Sequence, residues 1–104
     1  MEITQDIILQ YLKKIKPELQ NDGIDQIALF GSFAKDEQTV YSDIDIAIKK
    51  KSDFLQQNTA YDYFNIISNI KQKIQKVLHR NVDIFDLESD SELLESIKKE
   101  IIYV

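Results

Sequence analysis

Residues Leu29–Lys49 read LFGSFAKDEQTVYSDIDIAIK, and the division of this stretch decides the fold. An apolar run stops at Gly31-Ser32, a polar connection follows, and Ser42-Asp43-Ile44-Asp45-Ile46 begins a second apolar run. Residues two apart in a strand share a face. Asp43 and Asp45 therefore stand side by side, while Ile44, Ile46 and Ile48 form the other face of a half-buried strand. Adjacent carboxylates repel, and a fold avoids that arrangement unless a cation sits between them. Hard divalent ions such as Mg²⁺ take oxygen ligands of this kind, completed by substrate phosphates and water. Gly31-Ser32 closes the preceding strand, where backbone N–H groups at the start of a helix cradle a phosphate. A phosphate cradle and a carboxylate pair at the ends of neighbouring strands point to nucleotide chemistry.

The rest of the composition narrows the chemistry. At 104 residues the chain is read as one domain, 1–104, with a single core. Apolar residues at 43% and charged residues at 30% are ordinary for a globular protein. With no cysteine, disulfides and thiolate metal sites are excluded, and a lone histidine excludes a multi-His centre, which leaves oxygen ligands. No apolar run approaches the length of a membrane span, and no signal-peptide pattern is seen, so no membrane association and a cytoplasmic location are expected. Thirteen basic against eighteen acidic residues give a net charge of −5, so direct nucleic-acid binding by bulk electrostatics is not expected.

Working outward, helical spacing of Ile7, Ile8, Tyr11, Leu12, Ile15 and Leu19 predicts a helix over 4–21, with Thr4 as N-cap. Pro17 is expected to kink or restart it, and Asp22-Gly23 to stop it. Ile24 to Phe30 reads as the first strand, Ser32 to about Asp36 as one helical turn, and Asp43 to Lys49 as the second strand. The Lys49-Lys50-Lys51 triplet reads first as a solvated strand exit, with a role beside a polyanionic substrate as the alternative. Residues 53–58 read as a loop. A helix from about Thr59 to His79 follows, with Tyr63, Phe64, Ile67, Ile70, Ile74, Val77 and Leu78 on its buried face. His79 is read as a helix-closing residue in preference to a catalytic one. Val82 to Leu87 forms a third strand. Ser89-x-x-Glu92 is a capping box that opens a last helix to Tyr103. The expected fold is α/β (α+β): a small mixed three-stranded sheet packed with helices, in the order α-β-(short α)-β-α-β-α.

Gly31-Ser32 with Ala34, followed by Ser42-Asp43-x-Asp45, resembles the nucleotidyltransferase superfamily that includes DNA polymerase beta. The likeness is to its minimal single-domain branch, the MNT domains encoded beside small helical HEPN proteins, with MntA-type antitoxins among them. It covers nearly the whole chain, since the helix before the motif and the Val82-Asp83-Ile84 strand after it also fit. The resemblance implies that Asp83 completes a metal site opposite the Asp-x-Asp strand. Asp86 competes for that role, but its odd spacing puts it on the other face. It also implies a catalytic and metal-binding set of Asp43, Asp45 and Asp83 holding two Mg²⁺ ions about 3.5–4 Å apart. A nucleotide-binding set of Gly31, Ser32, Lys35 and Ser42 goes with it, Ser42 being read first as a cap on the turn before the strand. The family motif continues with arginine and glycine where this chain has Lys35-Asp36, which keeps the charge but loses the bidentate fork.

The activity implied is Mg-dependent transfer of AMP from ATP or another NTP to a hydroxyl, with release of pyrophosphate. The acceptor implied is a tyrosine of a partner HEPN ribonuclease toxin, against which the chain would act as antitoxin. A non-catalytic antitoxin that neutralises by binding, and a transferase acting on a small molecule, are the alternatives. A partner chain is expected to complete the site, and homo-oligomerisation stays open.

Overall fold

The computed structural model describes residues 2–88 and 91–104. Its first element, α1 (Gln5–Asn21), starts where Thr4 accepts a hydrogen bond from the Ile7 N–H and runs through Pro17. Ile8, Leu12, Ile15 and Leu19 recur at helical spacing and are all buried. Gly23, at φ 102°, turns the chain into β1 (Ile24–Phe30). After the polar connection comes β2 (Ile44–Lys50), then a single turn of helix, α2 (Phe54–Gln57), within the segment expected to be a loop. Next come α3 (Ala60–Leu78), β3 (Val82–Asp86), α4 (Ser91–Ile97) and β4 (Ile102–Tyr103).

A Thr59–Asp62 capping box opens α3, and His79 closes it in the left-handed region at φ 54°, its N–H donating to Gln75 O. The other capping box, Ser89-x-x-Glu92, begins on a residue outside the described ones.

The sheet is mixed, in the order β3-β2-β1-β4. β1 pairs antiparallel with both β2 and β4, whereas β2 and β3 are parallel, joined by the α3 crossover. The expected α/β class therefore holds, with a fourth strand added. The last helix ends at Ile97, and Ile102-Tyr103 pairs with Leu29 and Ala28 in place of a final helical turn. Those residues take the exposed edge of β1, whose unpaired amides offer more than another exposed turn.

Strand alternation sorts two clusters. Ile27, Leu29, Ile44, Ile46, Ile48 and Val82 pack with the apolar stripes of α1 and α3. Ala28, Phe30, Ala47, Leu87 and Ile97 make a smaller cluster on the opposite face, with Phe85 edge-on to Phe30. Among the described residues, no polar or charged side chain is buried. The buried stripe of α3 is narrower than the periodicity predicts: Tyr63, Ile70, Ile74 and Leu78 are buried, but Phe64 is 67% exposed and Val77 45%. A helix lying on a sheet covers only the line of residues that meets it, and both of these flank that line.

Candidate active site

The connection after β1 is held from behind. Gln5 Nε2 donates to Phe33 O at 3.1 Å and Ala34 O at 2.9 Å, and the Phe33 ring is fully buried in the main core. Residues 32–36 form hydrogen-bonded turns rather than the expected turn of helix: Lys35 N–H donates to Gly31 O, Asp36 N–H to Phe33 O and Glu37 N–H to Ser32 O. Asp36 sits in the left-handed region at φ 58°. The phosphate cradle expected at a helix start is thus a loop.

Gly31 is required twice over. Its φ is 77°, which side chains rarely adopt, and a Cβ there would overlap the Asp45 carboxylate. This close approach brings the β1 exit against the Asp-bearing strand. Across the sheet, Phe30 pairs with Asp45, and Asp45 pairs in turn with Asp83 on parallel β3. Asp45 and Asp83 are thus side by side on the face away from α1 and α3. Asp43 lies two residues before Asp45, exposed just outside the strand.

The electrostatics mark Asp45. Burial, then the charges of Asp83, Asp43 and Glu100, push its carboxyl up from 3.8 to about 6. Four acidic groups therefore crowd one corner, and the other three each raise the cost of ionising Asp45. The donor set, carboxylate oxygen without thiol, suits a hard divalent cation, and such an ion would relieve the repulsion. As the side chains stand, no three acidic or histidine groups among the described residues close around an ion position, so a bound ion would have to draw them inward.

The nucleotide-binding candidates are less free than expected. Gly31 N–H donates to Glu100 Oε1 at 3.2 Å. Lys35 Nζ lies 3.6 Å from Glu100 Oε2 and 3.9 Å from Glu37 Oε2. Ser42 Oγ accepts from Thr39 N–H at 2.9 Å, the turn-capping role preferred for it. Ser32 borders these groups, half-buried, at the start of the loop.

Sequence reasoning missed three residues. Glu100 reaches Gly31 only because β4 returns the C-terminal segment to β1, which local periodicity does not signal. Arg80 donates to Ser42 O at 2.8 Å and lies over the Phe33 ring at 5.6 Å, tying the start of β2 to the loop. It lines a cavity of about 550 Å³ together with Ser42, Asp43, Tyr41, Gln75 and His79. That cavity abuts Asp43 but does not include Asp45 or Asp83. Lys50 is the third: its side chain is only 16% exposed and pairs with Asp86 at 3.1 Å and Glu88 at 3.5 Å. It does not belong to a solvated exit. The positive charges of Lys49 and Lys51, both exposed, had suggested one.

Comparison with known proteins identifies the family and the fold. The family model for polymerase beta nucleotidyltransferases matches residues 13–104. A Methanocaldococcus jannaschii protein named “Putative protein adenylyltransferase” is 34% identical over 100 residues, covering 93% of this chain and 94% of the relative. A solved chain described as “putative minimal nucleotidyltransferase” superposes with a TM-score of 0.72 at 20% identity, covering 97% of this chain and 96% of its own. A chain from the complex of tri-AMPylated Shewanella oneidensis HEPN toxin with MNT antitoxin superposes at TM-score 0.55 and 24% identity, covering 88% of this chain and 66% of its own. At these identities the two solved structures show a shared fold.

Proposed function

The chain belongs to the polymerase beta nucleotidyltransferase family and is a nucleotidyltransferase, and from that premise we propose that it moves AMP from ATP to a tyrosine hydroxyl of a HEPN-type toxin, as an antitoxin in the cytoplasm. The name of the M. jannaschii relative supports a protein acceptor, and the AMPylated toxin in the Shewanella complex supports its class. One observation carries the catalytic part: Asp45 and Asp83 are register partners beside Gly31, in a corner of uncompensated negative charge.

In this reading the whole chain acts as one minimal domain, and Asp43, Asp45 and Asp83 would hold two Mg²⁺ ions. Bound there, the ions would supply charge neutralisation for the triphosphate and a more acidic acceptor hydroxyl. Asp83 takes the proton of the acceptor hydroxyl, whose oxygen forms a bond to the α-phosphorus. The bond from that phosphorus to the bridging β-oxygen breaks, and pyrophosphate leaves. Gly31 N–H, Ser32 and Lys35 orient the β- and γ-phosphates. Phosphoryl-type transfer needs such positioning and charge more than an array of acid–base groups, so a single histidine is no handicap.

The test is to incubate the chain with ATP, Mg²⁺ and a HEPN-type toxin protein, and to read the mass of that protein. Addition of one or more AMP units supports the reading. An unmodified but neutralised partner would favour the second reading, an antitoxin that acts by binding alone. The pairing of Lys35 with two carboxylates, which leaves it less free for phosphate, is the observation in favour of that alternative.

A further inference from the structure

Glu100 occupies the two donors that the nucleotide reading assigns to phosphate. Its Oε1 accepts from Gly31 N–H at 3.2 Å, and its Oε2 lies 3.6 Å from Lys35 Nζ. One carboxylate thus spans a backbone amide and an ammonium, the contacts that two oxygens of a phosphate would make. The placement is built into the C-terminal segment. Glu100 and Ile101 N–H groups both donate to Ile97 O, closing the end of α4. Ile102 then pairs with Leu29, Val104 N–H donates to Ile27 O, and Lys16 Nζ donates to Val104 O at 2.6 Å. The backbone at Glu100 is therefore tied to the end of α4, and the segment after it to β1 and α1. Its side chain, 20% exposed, keeps a path to solvent.

Glu100 also stands among like charges. Asp45, Asp83 and Asp43 share the corner, so the ion pair with Lys35 and the Gly31 hydrogen bond are what hold a fourth carboxylate there. A ligand anion that takes those two donors leaves Glu100 facing the aspartates without compensation, and its side chain must swing out.

We propose that Glu100 is an internal competitor of the nucleotide: its carboxylate occupies the place of a triphosphate oxygen pair at Gly31 and Lys35, and its displacement sets nucleotide affinity. This rests on the nucleotidyltransferase reading of the same site. A charge-assisted pair of this kind opposes polyphosphate entry until the ligand offers more charge than the glutamate does.

The experiment titrates the full chain by calorimetry with two probes, metal-free inorganic tripolyphosphate and a non-hydrolysable ATP analogue with Mg²⁺. Parent, Glu100→Gln, Glu100→Ala and Lys35→Ala are compared, with the Gly31 amide followed by NMR. Only one other glycine, Gly23, is present, which makes that signal simple to assign. Both Glu100 variants should bind tripolyphosphate about tenfold more tightly than the parent, and Lys35→Ala more weakly. In the parent, tripolyphosphate should shift the Gly31 amide, and Glu100→Gln should shift it before any ligand is added. A glutamate that only anchors β4 would lower the melting temperature on substitution and leave affinity unchanged or weaker. That outcome, with the parent still binding, overturns the competitor role and leaves the nucleotide reading intact. A glutamate that ligates metal would weaken the Mg²⁺-dependent probe on substitution, which also overturns it. If neither the parent nor any variant binds either probe, both the inference and the nucleotide reading fail.

Discussion

Two aspartates on the same pair of strands meet opposite fates. Asp86 faces Ile48 on β2, and Asp83, three residues earlier, faces Asp45. Asp86 accepts from the Tyr63 hydroxyl and from Lys50 Nζ, while the Glu88 N–H donates to its other oxygen at 2.7 Å. Burial alone would raise its pKa, but these donors hold it below the usual carboxylate range. Burial and the bond to Asp86 push the Tyr63 hydroxyl far up. Lys50, pulled down by burial, is pushed up overall by Asp86 and Glu88. Asp45 has no such company, and burial and three acidic neighbours drive its carboxyl up to about 6. A carboxylate that stabilises the fold is supplied with donors from within the chain. One left among its own kind carries the repulsion that, under the proposed function, a cation from outside would relieve.

The largest effect should come from removing the uncompensated set. Asp43→Asn with Asp45→Asn should cut AMP transfer by about 10³-fold or more while circular dichroism stays unchanged, because several kcal/mol of charge stabilisation are lost. Asp86→Asn should leave transfer near the parent rate. Equal losses from both would erase the contrast.

Ligand linkage sharpens it next. Mg²⁺ with ATP at a hundredfold excess over Kd should stabilise the parent by about 2.7 kcal/mol, read as a rise in Tm. Asp45→Asn should abolish the rise, and Asp86→Ala should keep it.

Without ligand the order reverses. Asp86→Ala strands Tyr63 and Lys50 and should cost about 2 kcal/mol in urea unfolding. Asp45→Asn relieves repulsion and should leave the metal-free chain as stable as the parent or more so.

The smallest effect is in pH. The folded pKa of Asp45, about 6, lies above its unfolded value of 3.8, so the folded state holds the extra proton between them. Its ionisation therefore opposes folding, and metal-free stability should recover as pH falls through 6 toward 4. Asp86, shifted downward, supplies stability above the usual carboxylate pKa that is lost as pH falls through and below it. The stability advantage of Asp45→Asn over the parent should be largest above pH 6, on the order of 1 kcal/mol, and vanish near pH 4. A constant advantage across that range would show that the substitution acts through packing instead.

Much of this was legible in the chain. The boundaries of α1, β1 and β2 fell within a residue of their expected places. Apolar spacing and caps such as Thr4 act within a turn or two and do not depend on what packs above them. The opposite facing of Asp83 and Asp86 followed from the two-residue period of strands, whereas the place of Asp83 beside Asp45 was implied by the family resemblance. The place of Gly31 beside the carboxylates was implied by its position at the strand exit. Its overlap with Asp45 needed the two strands to be paired.

What only the tertiary structure decided lies in contacts between distant residues. Ile102-Tyr103 has enough apolar character for helix or strand, and the open edge of β1 settled it. Phe64 and Val77 fit a helical stripe, yet both flank the line along which α3 meets the sheet and stay exposed. Lys50 looked like one of three solvated lysines until α3 brought Tyr63 over it and β3 brought Asp86 beside it, 36 residues away. Glu100 reads as one more charge on a terminal helix, and meets Gly31 across 69 residues. Local sequence sets which face a side chain takes. The closing of the sheet sets which side chain it meets there, because that energy belongs to pairs the periodicity never sees.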